Sequence, residues 1–436
     1  MLSYVAQNSY STPMINSDIP QSWVSSSITK PVPSTHKIVQ AMSQDGSAQL
    51  GGSSTINILR TPNTSIRRAS TMLRCRVDFL VPIVGAGGLV DSAFTFSNPI
   101  KGASSLIQRI TLSSNSTELE KLDYYSDYHS LLLLHGTSSS YLDDAKCIEY
   151  LGNTFGSATN AGASTKSVWV SIPLALGALN SDRDFPLFLA PLQLVVNWQS
   201  TLTQIVSEIK VGLGVVGLSI NAVSLIYESI EHNQEFITAQ MAIIAQGNIF
   251  NLPYQSVFSV VKSSEANLMY TIGCSKVSVD ALLYTNYIAH LSAAGGAPQP
   301  VKKFKSSNQT DFVLYVDNVP VQNIGQLDIQ KVPTTVFIEA KRCFGGVLDT
   351  QLSSVASTIS MITADNVVAG TYLSDSFCGG CNLRRTEEDY CFPGTPVSSL
   401  MVQLASTVVA GDITQFHVLY SAVASFDGTG NMVRTC

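Results

Sequence analysis

The chain's 436 residues include 45% hydrophobic but only 13% charged side chains, and the net charge is −6. That length exceeds one ordinary core and suits about two domains. Charged residues stand at roughly half the share of about 25% usual in soluble domains, so many side chains must lie against other protein or be exposed as Ser, Thr, Asn and Gln. The acidic balance excludes a broad phosphate-coating surface.

Residues 1–30 are rich in Ser, Asn, Gln and Pro, with isolated Met14, Ile15, Ile19 and Trp23, and read as an N-terminal arm. The opening MLSYVAQNSYSTPM lacks the basic and apolar regions of a secretory signal. From His36 the pattern is strands separated by turn clusters. Ile56 and Ile58 alternate first. Over Leu73–Val81, Leu73, Cys75, Val77, Phe79 and Val81 alternate with Arg74, Arg76, Asp78 and Leu80, and Gly85–Gly88 closes the run as a turn.

Gly102–Leu134 breaks this rhythm. A short β run over Ser105–Leu112 passes through a polar turn, Ser113–Thr117. Leu122, Tyr125, His129, Leu132 and Leu133 then follow at i, i+3, i+7, i+10 and i+11. The spacing predicts a helix with one stripe toward a core, an insertion at one end of a β-sandwich. Strands resume at Lys166–Ile172, Leu192–Trp198, Gln204–Lys210 and Leu218–Tyr227. Val211–Tyr227 is apolar but short, with glycines and Asn221, and reads as a pair of buried strands rather than a membrane span.

A helix is predicted over Ile230–Ile244, where Ile230, Ile237, Met241 and Ile244 share a face and Glu231, His232, Gln234 and Glu235 face away. Beyond it, strands are predicted at Gln255–Val261, Lys276–Tyr284, Asp311–Val316, Thr334–Ala340, Ser357–Thr363, Leu400–Val408 and Gln415–Ser425. Two strand-dense regions around one helix imply two similar β modules, alike in structure rather than in sequence. The division expected is an arm over 1–30, a first module over 31–229, a helical linker over 230–246 and a second module over 247–436.

Candidate chemistry is sparse. GLGVVG at Gly212–Gly217 has the spacing of a dinucleotide loop, but a strand rather than a helix follows it. Cys378-Gly-Gly-Cys381 with Cys391 supplies three thiols; a zinc site needs a fourth ligand, which Cys436 or His417 would reach only through the fold. The bland reading is a glycine turn with reduced thiols, and the remaining cysteines, scattered singly in apolar runs, suit a reducing compartment. Asp123, Asp127, His129, His135, Asp143 and Asp144 form the densest acid–histidine group. On helical spacing His129 joins the apolar stripe while the aspartates fall away from it, so convergence fails. Serines are many, but no GxSxG elbow is present. The sequons at Asn63, Asn115 and Asn308 read as chance in a Ser/Thr-rich chain. Lys302, Lys303 and Lys305, the one dense basic spot, read as a solvated loop tip. No catalytic, cofactor-binding or metal residue is assigned, and no enzyme activity or cofactor is expected.

Four phrases, in order, resemble the major capsid proteins of double-jelly-roll viruses, the lineage of adenovirus-like, virophage and polinton-like forms. The first is SLIQRITL with Leu106, Ile107 and Arg109, followed by Glu120 and Tyr124. The second is Pro173-Leu174 and Pro186-Leu187 before the strand Leu192–Trp198. The third is VSLIYESIEHNQEFITAQ. The fourth is KVSVDALLYTNY followed by DFVLYVDNVPVQN. They span roughly residues 50–345 and are packing patterns, not catalytic fingerprints.

The resemblance implies an all-β chain of two tandem eight-stranded jelly-roll β-sandwiches, strands roughly normal to the capsid surface, with short helices in loops and in the linker. It implies homotrimeric, pseudo-hexameric capsomers tiling an icosahedral shell, with contacts on the order of 2,000 Å². The expected partners are further copies of the chain, minor capsid and penton proteins, and an internal membrane beneath the shell, with no sequence-specific nucleic acid. The expected place is the virion, assembled inside the host cell. Loops such as Gly152–Ala163 and Ala293–Lys305 would form outer towers. The alternative is a carbohydrate-binding or hydrolytic β-sandwich, in which Trp169 and Trp198 would line a cleft.

Overall fold

The computed structural model describes residues 34–81, 93–137, 148–151, 155–156, 164–208, 217–264, 268–288, 302–307, 309–321, 327–329, 333–344, 373, 375–385, 392–406, 412–427 and 431–436. Its principal strands fall into two sets. The first comprises β1 (Ser34–Met42), β2 (Ser53–Ile58), β3 (Met72–Val81), β4 (Ile107–Ser114), β5 (Thr117–Asp123), β6 (Ser164–Pro173), β7 (Leu192–Trp198) and β8 (Gly217–His232). The second comprises β9 (Phe250–Ser263), β10 (Leu268–Ile272), β11 (Lys276–Ile288), β12 (Gln309–Val316), β13 (Val319–Pro320), β14 (Gly379–Asn382), β15 (Leu400–Ser406) and β16 (Asp412–Phe426).

In the first set β1-β8-β3-β6 form one antiparallel sheet and β2-β7-β4-β5 the other. In the second set β9-β16-β11-β14 and β10-β15-β12-β13 repeat that order, so each set pairs its strands as 1-8-3-6 and 2-7-4-5. This is a jelly roll wound twice by one chain. The repeat is structural, as expected from two regions alike in strand content but not in wording.

Local chemistry explains the elements. In β3, Leu73, Cys75, Val77 and Phe79 are fully buried and sit opposite Ile172, Val170, Val168 and Lys166 of β6. Asn115 and Ser116, both at positive φ, make the tight turn between β4 and β5, the conformation that matches strand twist in a two-residue hairpin. That hairpin corrects the expected turn-to-helix passage. Leu122 lies in β5 opposite Ile110, and the helix α1 (Tyr125–Gly136) starts only after Tyr124, itself left-handed at φ 55°.

Other boundaries also move. β8 runs through Ile230 to His232, because Ile230 pairs with both His36 and Ser65. The connecting helix α2 is therefore Gln234–Ala245, capped where the Asn233 side chain accepts the Glu235 N–H. The strand expected at Thr334–Ala340 is instead helix α3 (Pro333–Phe344). Its β-branched run favours a strand, but Val336, Phe337, Ala340 and Cys343 are buried at helical spacing, and packing overrides propensity. Gln204–Lys210 divides into a helical turn, Leu202–Ile205, and a short strand, Val206–Glu208. Gly217–Tyr227 lies within one strand, β8, the rest of the expected pair lies outside the described residues, and no described helix is long and apolar enough to cross a membrane. The calls at Gly85–Gly88, Gly212–Val216 and Ser357–Thr363 lie outside the described residues, as does most of Gly152–Ala163.

In β16 and β11 alternation disappears. Phe416 and Val418 face the second barrel's core, while Leu419, Ala281 and Leu283 join the cluster that contains the first barrel's side chains. Both faces of this sheet are covered, so its strands read as continuous apolar or small-residue runs.

Candidate functional site, a polar seam between the barrels

The chemistry-bearing residues gather where the two barrels meet. Helix α1 is the centre of it: ten of its residues, from Tyr125 to His135, are buried, so it has no solvent face. One flank meets the second barrel through charge. Lys302 Nζ lies 2.6 Å from Asp127 Oδ1 and 3.6 Å from the Tyr287 ring centroid. Lys305 lies 2.8 Å from Asp412 and Lys303 3.0 Å from Asp375. The three lysines expected at a solvated tip therefore each hold a carboxylate. The first two pairs are largely buried, which suits Lys, a long apolar stem ending in a compact charge.

The histidines of α1 point elsewhere. His129 stacks on Tyr125, and its Nδ1 lies 3.8 Å from Glu149, which is buried with it. Burial pushes the Glu149 carboxyl up to about 8 and His129 down to about 4, so near neutral pH the pair is held uncharged. His135 shares a hydrogen bond with the Ser376 carbonyl at 3.0 Å and stacks on Phe344 of α3. His417 of β16 meets Ser259 at 2.8 Å and packs on Tyr128. Both are also driven to about 4 by burial.

The second flank is built on β5. Glu120 is buried and accepts the N–H groups of Gly177 and Ala178 at 3.0 and 3.2 Å. Burial raises its carboxyl to about 7, and those two N–H groups restrain the rise. Gly177 is there because nothing larger fits: a Cβ on it would stand 1.7 Å from the Gln255 carbonyl oxygen of β9. Next to it, Tyr254 donates to the Leu119 carbonyl at 2.6 Å, and Arg434 lies 3.7 Å from Glu118. A cleft of about 320 Å³ opens here, with Glu120, Asp182, Tyr254 and Gln255 in its wall.

The densest acid–histidine group of the sequence thus separates. Asp123 pairs with Arg109 on the barrel surface, Asp127 with Lys302, His129 with Glu149 and His135 with Ser376, while Asp143 and Asp144 lie outside the described residues. Asp127 is buried rather than turned away from the core, a correction to the helical-face expectation. Sequence reasoning passed over Glu149, the buried partner of His129, named Glu120 only within the resemblance and left Lys302 at a solvated tip. A carboxylate in strand register with an apolar residue (Glu120, two before Leu122) was the one visible signal.

The thiols also regroup. Cys378 and Cys381 flank Gly379-Gly380 in and beside β14, and both are buried. The residue set over this turn is Cys343 of α3: a Cβ on Gly380 would come 3.1 Å from its Sγ. Burial raises the Cys343 thiol, with Cys378 and Cys381 adding to the rise. Among the described residues no group of three or more His, Cys, Asp or Glu could hold a metal ion, and Cys391 lies outside them. Of the two tryptophans proposed to line a cleft, Trp198 is fully buried with its N–H on Ser54, and Trp169 lies on an open sheet face beneath Arg74.

No family model matches the chain, and no curated protein matches it in sequence. Solved structures do match. The chain is similar to the Sputnik virophage structure with a TM-score of 0.61 at 10% identity, covering 97% of this chain and 91% of that one. It is similar to the PBCV-1 virus capsid at 0.58 and 11%, covering 93% and 98%. It is similar to the Faustovirus major capsid protein at 0.53 and 9%, covering 92% of each. Taken with the repeated strand order, the likeness gives the chain its fold: a double jelly roll, as in the major capsid proteins of PBCV-1, Sputnik and Faustovirus.

Proposed function

We propose that the chain is a major capsid protein whose job is shape rather than reaction. The observation that carries this is the duplicated strand order joined by a buried seam. Two barrels locked by Asp127–Lys302, by the Gly177–Gln255 contact and by α1 against α3 make one rigid plate with two similar halves. The similarity to capsid subunits over more than nine-tenths of the chain supports the same reading.

Three copies would then place six similar barrels in a ring, a pseudo-hexameric capsomer that tiles an icosahedral shell with strands roughly normal to its surface. A surface with few charges suits such obligate contacts. The working division is an arm over 1–30, barrels over 31–229 and 247–436, and a link over 230–246 whose helical part is α2. The partners of this reading are other copies, minor capsid and penton proteins and an internal membrane; its location is the virion, after assembly in the host cell. It involves no enzyme activity and no direct reading of nucleic-acid sequence. Expression of the full chain followed by electron microscopy tests it. Three-fold particles of hexagonal outline, or sheets of them, are expected; isolated single-chain particles that bind saccharide columns would favour the carbohydrate-binding alternative.

A further inference from the structure

The cleft beside Glu120 is complete within one chain and is walled by both barrels. β5, α1 and the loop over 175–182 supply one side, and β9, from Pro253 to Val257, supplies the other. Four of its polar groups spend their donors elsewhere. The Asn180 side-chain N–H goes to the Leu174 carbonyl, that of Gln255 to Asp280, the Tyr254 hydroxyl to Leu119 and the Ser181 hydroxyl to Arg183. Each amide so engaged keeps its oxygen as an acceptor. These oxygens add to the Glu120 carboxyl and to Asp182, whose side chain is 92% exposed at the rim. Among the described residues the wall holds no Lys, Arg or His. Glu120 itself takes two backbone N–H groups, and a carboxylate has room for about four such bonds. Its cationic neighbour, Arg434, is turned to Tyr420 and Glu118.

We infer that this cleft binds a short aliphatic diammonium ion, with one ammonium on Glu120, the other at Asp182 and the carbon chain along Leu132, Pro253 and Val257. An ammonium carries three donors and no acceptor, which matches a wall of acceptors. It also supplies the partner that a buried carboxylate needs in order to hold its charge. An anion would meet only acceptors, and a bare metal ion would leave the apolar side of the cleft uncovered. Because the ligand touches both barrels and only the folded chain presents this wall, binding stabilises the seam by mass action. Tyr128, Tyr254 and Arg434 also face Glu120, and all three are shifted away from neutrality, with the Asp182 carboxylate at the rim. Glu120, raised to about 7, is the group whose charge changes there, while an alkylamine stays protonated. Binding is therefore about tenfold tighter at pH 8, where Glu120 is ionised, than at pH 6.

The test titrates the full chain with 1,4-diaminobutane in a calorimeter. At pH 8 the expected dissociation constant is on the order of 0.1–1 mM for so small a ligand, and about ten times weaker at pH 6. The thermal midpoint should rise with diamine concentration at pH 8. Glu120→Gln should weaken binding at least tenfold and abolish its pH dependence. Asp182→Asn, at an exposed position where the fold is not at stake, should reduce 1,4-diaminobutane to the affinity of 1-aminobutane. Glu231→Gln, in a surface pair with Lys37, is the control and should bind as wild type does. The neutral isostere 1-butanol should not bind. Absence of diamine binding, equal binding of 1-butanol, tighter binding at pH 6, or an Asp182→Asn variant that still prefers the diamine overturns the inference. So does tighter binding of Nα-acetyl-lysine amide, which would assign the cleft to a lysine of another protein. The capsid reading is left standing by each of these results, because the cleft needs no second copy.

Discussion

Lys302, after the second barrel's long β11, reaches back to Asp127 on the first turn of α1 and lies over the Tyr287 ring. This pair ties a helix of one jelly roll to a strand-and-loop edge of the other. Its side chains are 18% and 8% exposed, so removing one partner leaves the other charge largely dry. We expect Lys302→Met to cost about 3 kcal/mol in denaturant unfolding, and Lys302→Met/Asp127→Leu to recover most of that loss, since an uncompensated buried charge costs more than an apolar replacement. A double variant as unstable as the single one would show that packing, not charge, holds α1.

Gly177 tests the other flank. Alanine there would drive a methyl group into the Gln255 backbone, which cannot rotate away as a side chain can. The expected result for Gly177→Ala is a loss of several kcal/mol or insoluble chain, on the scale of about 1–3 kcal/mol or more for overpacking. Gly46→Ala, where nothing stands within 4 Å of the added carbon, should change stability by less than about 0.5 kcal/mol. Thermal unfolding of the two variants side by side checks this.

The buried ionisable groups set a pH window with two opposed slopes. Glu120 and Glu149 have folded values raised to about 7 and about 8, so the folded state holds protons that the unfolded chain has lost, and stability falls as pH rises through 7 and 8. His129, His135 and His417 have folded values lowered to about 4, so the unfolded chain takes up protons first, and stability falls as pH drops from about 6.5 toward 4. Stability should peak near pH 6. Glu149→Gln should flatten the alkaline limb and steepen the acid limb, because the Glu149 carboxyl opposes the histidines from its ordinary value of 4.5 up to about 8; chemical denaturation across pH 4–9 measures both. An unaltered alkaline limb would remove Glu149 from the account.

Thiol labelling separates buried from reachable cysteines. Cys75, Cys343 and Cys378 are buried, with thiols raised well above their ordinary range, and thiolate is the reactive form. Peptide mapping after brief alkylation of native protein should find these three unmodified and half-buried Cys436 labelled, with all of them labelled in denaturant. Labelling of Cys343 before Cys436 would mean that α3 does not stay on β14.

Much of the fold was legible because jelly-roll strands with one wet face alternate. Leu73–Phe79 and Leu192–Trp198 declare themselves, and the wording around Arg109, Pro173 and Pro186 resembles a known lineage. What was illegible has physical causes. Thr334–Ala340 looked like a strand because a β-branched run outweighs three or four helical repeats on so short a stretch. Lys302–Lys305 looked solvated because their carboxylates, Asp127, Asp375 and Asp412, lie 72 to 175 residues away in sequence. The seam could not be read at all: Glu120, Gly177 and Gln255 meet only once two barrels are docked.

The mass of the purified full chain in solution is the most direct test of the tile. Light scattering should give about 140 kDa, three times the 46.7 kDa chain, at every concentration above the micromolar range. A stable 46.7 kDa species under the same conditions would contradict it.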